Sequence, residues 1–167
     1  MKDLRDGQKD PSKTKTLSGE LWKDSEIVEC IGCIDEANAF LGLARIFCKE
    51  EVLRDLILKI QKKMFSVGCE VSMGERKIDE KDVEWIENTI KEIEKCIDLP
   101  KSFLILETSG ETAFLNVART VVRRAERRAV TLYKKGIVGI HLVQWLNKLS
   151  YLLYLMILFA SNERIYV

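Results

Sequence analysis

"VARTVVRRAERRAV", residues 117–130, combines an apolar pattern of helical period with five arginines that lie between Arg119 and Arg128. On a helical wheel of about 100° per residue, its valines and alanines fall largely on one arc. Arg123 and Arg127 lie beside that arc, close in angle to Arg119. The stretch therefore predicts a helix with one face in a core and a row of guanidinium groups at the edge of that face.

Two kinds of partner could balance this arginine row. A charge at the edge of a core is costly without a partner. The planar fork of arginine pairs with phosphate oxygens, and a row about 12 Å long matches a triphosphate in reach. Carboxylates on neighbouring helices would form ion pairs instead. The spacing leaves both alternatives open.

The charge of the row is local. The 167-residue chain has a net charge of only +1, whereas the ten positions from Arg119 to Arg128 carry five arginines and one glutamate. A nucleic-acid-binding protein normally has a broadly basic surface, whereas a local patch suits a small polyanion such as a nucleotide. No nucleic-acid partner is expected.

Helical periodicity extends over most of the chain, and strand signals are sparse. Long helices joined by short connections favour antiparallel neighbours. We expect an all-α protein, an up-and-down bundle of four or five helices over residues 26–167, preceded by an irregular segment over residues 1–25. The predicted helices cover residues 26–48, 51–73, 79–97, 111–135 and 138–162.

The last predicted helix is the most apolar part of the chain. Its uninterrupted apolar run, Tyr151 to Ala160, is about half as long as a membrane span requires, so a core helix is expected and no membrane partner. One face carries a line of polar groups that would bind either a ligand or a neighbouring helix. These groups are Gln144, Asn147, Tyr151 and Tyr154.

The cysteines indicate a reducing, cytoplasmic location. There are five of them, an odd number, and the first ten residues have no apolar leader segment. Cys30 and Cys33 have zinc-knuckle spacing, but a second such pair is absent and His141 is the only histidine. We interpret them as buried structural thiols.

Three segments carry a family resemblance. They are "ARTVVRRAERR" (118–128), "GCIDEANAFLGLA" (32–44) and "LNKLSY" (146–151). In order and spacing they resemble the signature segments of the propanediol-utilisation type of ATP:cob(I)alamin adenosyltransferase. The resemblance implies a ferritin-like, cobalamin adenosyltransferase-like bundle that assembles as a homotrimer with active sites between subunits. It also implies ATP, Mg²⁺ and cobalamin as ligands, with cobalt(I) attacking the 5′ carbon of ATP and releasing triphosphate.

The resemblance also implies roles for individual residues. Arg123 would be the catalytic residue that stabilises charge on the leaving triphosphate, and Glu126 would orient Mg²⁺ or the nucleotide. Phe103 would displace the lower axial ligand of the corrinoid, and Asp35 would form a salt bridge with Arg119 across the subunit boundary. The implied ATP-binding residues are Asp10, Thr14, Lys15, Lys23, Arg123, Arg124, Glu126, Arg127 and Asn147.

The sequence departs from the family pattern at several of these segments. Lys9 and Ser12 replace glycines of the N-terminal loop, and "LETSG" (106–110) replaces a Pro-Gly-Gly turn. Three further residues differ from the usual histidine, arginine and aspartate: Asn116, Lys148 and Tyr151.

Three functions are therefore considered. The first is adenosyl transfer to cobalamin or to a cobinamide-type precursor, with a reductase or an adenosylcobalamin-dependent enzyme as protein partner. The second is a non-catalytic nucleotide- or corrinoid-binding paralogue. The third is a helical interaction protein whose arginines form structural ion pairs.

Overall fold

A computed structural model describes residues 10–167, and five helices form its body. The helices are α1 (Glu26–Phe47), α2 (Glu51–Met73), α3 (Glu80–Glu94), α4 (Gly110–Lys134) and α5 (Ile140–Ala160). Four short strands accompany them: β1 (Lys13–Thr16), β2 (Gly19–Trp22), β3 (Leu104–Ile105) and β4 (Ile165–Tyr166). The predicted helical bundle is confirmed.

Side-chain caps set several helix starts. Ser25 accepts the backbone N–H of Val28 at the start of α1. Asp79 and Ser109 form capping boxes at the starts of α3 and α4. The α2 helix ends at Gly74, whose φ of 70° is the left-handed conformation that glycine adopts without strain.

The packing order differs from the chain order. The most extensive helix contacts are those of α1 with α4, followed by those of α4 with α5. The α2 helix packs on α1, and α3 packs on α5. One continuous apolar core fills the bundle, with Leu41, Ile57 and Trp145 completely buried.

The α5 helix has the largest buried fraction of the five helices. By length and composition alone it could cross a membrane, but more than half of its side chains are buried inside the bundle. Leu142, Leu149 and Met156 have no exposed surface. This is the burial expected of a core helix.

The N-terminal segment, expected to be irregular, contains a β-hairpin. Strands β1 and β2 pair antiparallel from Lys13 opposite Trp22 to Thr16 opposite Gly19. The threonines of "KTKT" favour extended backbone, and Gly19, with a φ of 130°, completes the turn. The tip is tied to α2 by a 3.1 Å hydrogen bond from the Leu17 N–H to Ser72 Oγ.

Candidate active site

The arginine row of α4 divides into two sets. Arg124 donates to Glu36 of α1, and Arg128 lies 3.3 Å from Glu29 of the same helix. These pairs belong to a ladder between α1 and α4 that also contains Lys135 and Glu26, 2.5 Å apart. The ion-pair alternative therefore holds for two of the five arginines.

Arg123 and Arg127 form the second set. Both are exposed, and within residues 10–167 neither guanidinium group has an ion-pair or hydrogen-bond partner. They follow Arg119 along the helix at intervals of four residues, so the three lie on neighbouring turns of α4. This face of α4 can therefore receive an anion.

Glu126 and Asn147 meet between α4 and α5. The Asn147 amide donates to Glu126 Oε1 at 2.8 Å. Both residues line a cavity of about 310 Å³ that also contacts Glu87 and Lys148. Lys148 lies 2.6 Å from Glu87, and this contact lowers the pKa of the Glu87 carboxyl. Glu126 and Asn147, both predicted to contact ATP, thus lie side by side.

Phe103 lies at a second and larger cavity. This Phe103 cavity measures about 590 Å³, and Pro100, Leu106, Arg119 and Tyr154 are among the residues that line it. Phe103 is 87% exposed. The Val167 N–H donates to the Phe103 carbonyl at 3.1 Å, next to the pairing of β3 with β4. An exposed aromatic ring beside an arginine and a tyrosine is suited to a large planar ligand.

Arg119 is held by a relay of polar side chains. Its Nε donates to Asn116 Oδ1 at 2.8 Å, and the Asn116 amide donates to Glu107 on the loop before α4. Burial and the neighbouring Arg123 lower the pKa of Arg119. Asn116, which replaces the histidine of the family pattern, thus links this loop to the arginine row.

The remaining predicted residues lie elsewhere on the protomer. Thr14, Lys15 and Asp35 line a cavity of about 460 Å³ between the hairpin, α1 and α2. This Asp35 cavity shares no lining residue with the Phe103 cavity. Within residues 10–167 of one chain, Asp35 and Arg119 form neither an ion pair nor a hydrogen bond with each other.

The loop before the hairpin has its own local order. Asp10 Oδ1 accepts the Ser12 hydroxyl at 2.5 Å and the Ser12 N–H at 2.9 Å, and these bonds lower the pKa of Asp10. The Lys23 N–H donates to the Ser12 carbonyl at 2.9 Å, while the Lys23 side chain is exposed. Ser12 thus ties the loop together where the family pattern has glycine, whereas Lys9 lies outside the described residues.

The other residues that differ from the family pattern also have local partners. In "LETSG" the capping box of Ser109 and Thr112 starts α4 in place of a glycine turn. Lys148 pairs with Glu87, and the Tyr151 hydroxyl donates to Glu94 Oε1 at 2.7 Å. Four carboxylates at these contacts were not predicted from the sequence: Glu29, Glu36, Glu94 and Glu107. For the first two a signal existed, because their spacing of seven places both on one side of α1.

Cys30 and Cys33 are both in the core. Cys30 has no exposed surface and Cys33 is 4% exposed. Burial raises the pKa of the Cys30 thiol to about 12. The two thiols therefore pack as small apolar groups, as predicted.

Comparisons with solved structures show the same fold. An arginine-to-lysine variant of the PduO-type ATP:corrinoid adenosyltransferase of Lactobacillus reuteri, complexed with ATP, superposes with a TM-score of 0.84 at 22% identity, covering 93% of this chain and 95% of that one. A phenylalanine-to-alanine variant of that enzyme, complexed with cobalamin and ATP, gives a TM-score of 0.82 at 22% identity, covering 93% and 94% of the two chains.

Sequence comparisons extend this likeness to the family. The model of the family described as cobalamin adenosyltransferase matches residues 5–160. The corrinoid adenosyltransferase of Bacillus subtilis is 33% identical over 149 residues, 84% of this chain and 77% of that protein. The PduO protein of Salmonella typhimurium is 30% identical over 153 residues, 87% of this chain but only 46% of that longer protein. The chain belongs to the cobalamin adenosyltransferase family and is an enzyme that transfers the adenosyl group of ATP to a corrinoid.

Proposed function

We propose that the triphosphate of ATP lies along Arg123 and Arg127 and that the corrinoid, cobalamin, occupies the Phe103 cavity. The observation that carries this proposal is the division of the arginine row. Two arginines are neutralised by α1, and two on the exposed face have no partner within the described residues. Evenly placed structural ion pairs would have used all of them.

The residues then have distinct tasks in the reaction. Cobalt(I) attacks the 5′ carbon, the cobalt–carbon bond forms, and the carbon–oxygen bond breaks with its electron pair moving to the triphosphate. The substrate supplies the nucleophile, so the protein has to position the reactants and stabilise charge. Arg123 is the proposed catalytic residue because its guanidinium can neutralise the departing oxygen. Arg124, which is engaged by Glu36, remains a predicted ATP ligand.

Magnesium fits this arrangement as a companion of the phosphates. Residues 10–167 contain no cluster of three or more histidine, cysteine, aspartate or glutamate side chains that could hold a metal ion by themselves. Mg²⁺ is commonly held by one or two carboxylates together with substrate phosphates. Glu126 is the proposed carboxylate, oriented by Asn147. Bound there, the ion would offset phosphate charge.

A second copy of the chain would complete the site. Thr14, Lys15 and Asp35 lie at one cavity and Arg119 at another, although the resemblance implies contact between Asp35 and Arg119. A head-to-tail contact between copies joins two different surfaces and closes into a ring when the rotation fits. We therefore propose a homotrimer in which the hairpin and Asp35 of one protomer face α4 of the next.

Mixing two impaired variants tests the shared site. Asp35→Asn damages one half of each site and Arg123→Ala damages the other. In a random one-to-one mixed oligomer, about a quarter of the interfaces combine two intact halves. We expect the co-expressed variants to turn over faster than either variant alone, measured as triphosphate release at limiting ATP with Mg²⁺ and reduced cobalamin. A site contained in one protomer would recover nothing.

The cellular location is proposed from the thiols. All five cysteines are free, and oxidising compartments normally convert such thiols to disulfides. We propose a cytoplasmic enzyme that receives cobalt(I) from a reductase and delivers its product to an adenosylcobalamin-dependent enzyme. Co-purification of a reductase or of an adenosylcobalamin-dependent enzyme with the native protein would test the two proposed partners.

A further inference from the structure

On α5, Tyr151 lies between Asn147, a proposed ATP ligand, and Tyr154, which lines the Phe103 cavity. It follows Asn147 by one turn of α5 and precedes Tyr154 by three residues, so the three side chains share one face of the helix. Asn147 is bonded to Glu126, and Tyr154 lines the Phe103 cavity. The Tyr151 and Tyr154 rings are stacked, with centroids 6.3 Å apart and an angle of 26° between planes.

The ring of Tyr151 is fixed from outside the cavity. Tyr151 is 39% exposed, so core packing does not immobilise it. Its hydroxyl donates to Glu94 Oε1 at 2.7 Å, and this bond raises the pKa of Tyr151 to about 12. A charge-assisted hydrogen bond of this kind holds geometry well.

The carboxylate of Glu94 lies at an unfavourable place for a negative charge. Glu94 is the last residue of α3, where the helix dipole disfavours a negative charge. Within residues 10–167 its carboxylate accepts a hydrogen bond from the Tyr151 hydroxyl. The pair therefore offsets an unfavourable charge and ties the end of α3 to the face of α5 that carries Tyr154.

We infer that Tyr151 and Glu94 are positioning residues for the corrinoid. Their hydrogen bond holds the Tyr151 ring, and the stacked Tyr151 ring sets the orientation of Tyr154 in the wall of the Phe103 cavity. Neither residue lines that cavity, so the effect passes through Tyr154. The inference rests on the proposed function, since it requires the Phe103 cavity to take the corrinoid.

The test separates the KM for cobalamin from the KM for ATP. Tyr151→Phe keeps the ring and removes the anchor. We expect it to raise the cobalamin KM by about fivefold or more and to leave the ATP KM within about twofold, because a small displacement of a positioning group weakens one substrate selectively. An unchanged cobalamin KM, or an equal rise in both values, would overturn the inference.

Variants of Glu94 show whether the hydrogen bond is responsible. Glu94→Ala removes the acceptor and should match Tyr151→Phe, whereas Glu94→Gln keeps an acceptor oxygen and should lie closer to the wild type. The double variant Tyr151→Phe/Glu94→Ala should be no worse than Tyr151→Phe, because both remove the same bond. Additive effects would contradict the inference. Glu92→Ala, which removes an exposed carboxylate of α3 paired with Lys95, is the matched control.

Phe103→Ala distinguishes this inference from the proposed function. If that change alters neither the affinity for cobalamin nor the absorption spectrum of bound cob(II)alamin with ATP present, then the corrinoid does not contact Phe103 and its proposed placement is wrong. If Phe103→Ala weakens binding and Tyr151→Phe does not, the inference alone is overturned. Thermal unfolding of each variant confirms that it is folded.

Discussion

The arginines of α4 are chemically identical, and their neighbours make them different. Arg124 and Arg128 lie against acidic residues of α1, whereas Arg123 and Arg127 lie on the exposed face. An exposed ion pair contributes about 0–1 kcal/mol, so Arg128 adds little to stability. An arginine that neutralises a leaving group contributes far more to the rate.

Arg123→Ala should therefore lower turnover by more than about tenfold while the fold stays intact. Arg128→Ala is the matched control, one helical turn and one residue away, and should stay within about twofold of the wild type. Steady-state triphosphate release and circular dichroism check both. Equal losses in the two variants would mean that the row acts only through its total charge.

The cysteines also differ by environment. Burial raises the pKa of Cys30 and of Cys48 to about 12, and Cys96 is exposed. The thiolate is the reactive form, so a raised pKa and burial both slow alkylation. At pH 8 iodoacetamide should modify Cys96 well before Cys30 and Cys48 in the native protein, as peptide mass spectrometry would show. Rapid modification of Cys30 without unfolding would contradict its burial.

Among the elements, the loops at one end of the bundle depend on a single carboxylate. Glu70 of α2 has no exposed surface. Its Oε2 accepts the N–H groups of Lys77 at 2.8 Å and Ile78 at 2.9 Å, and its Oε1 accepts that of Gly139 at 2.8 Å. One side chain thus fixes both the loop before α3 and the start of α5.

Glu70→Ala should destabilise the fold by about 3 kcal/mol or more, because it leaves one buried and two partly buried backbone donors without an acceptor. Glu70→Gln keeps one oxygen and should cost less, about 1–3 kcal/mol. Urea denaturation measures both. Glu75→Gln, which affects only an exposed pair with Lys77, should change stability by less than about 1 kcal/mol. A stable Glu70→Ala protein would show that the loops are fixed by other contacts.

At the scale of the whole molecule, the proposed trimer divides each site between two copies of the chain. In the proposed trimer Asp35 would supply the carboxylate for Arg119, whose guanidinium is partly buried. Removing one partner from such a pair leaves a charge without compensation.

Asp35→Asn should weaken assembly or raise the ATP KM, with a loss of about 2–5 kcal/mol if the pair is buried in the interface. Sedimentation over a range of protein concentrations and an ATP titration measure the two effects. Asp55→Asn removes another exposed aspartate, on α2, and should change neither. If trimer mass and ATP affinity both stayed at wild-type values, the pairing across subunits would be wrong.

Sequence periodicity predicted the helices well because the core stripe of each helix repeats along the chain. The predicted α2 has the observed bounds, and α1 differs by one residue. The predicted end of α3 was wrong by three residues, since the helix ends at Glu94 and Lys95 caps it. The hairpin of β1 and β2 was missed because four-residue strands give a weak sequence pattern. The pairing of β3 with β4 was missed because the two strands are about sixty residues apart in the chain.

By itself the sequence determined the helical class, the core face of each helix and the presence of an arginine row, because these depend on residues that are neighbours in the chain or one helical turn apart. Only the tertiary structure decided which arginines are neutralised and which remain available. That choice depends on the packing of α1 against α4, where Glu36 and Glu29 approach arginines 88 and 99 positions later. The same reason explains the Tyr151–Glu94 pair, which exists because α3 packs beside α5.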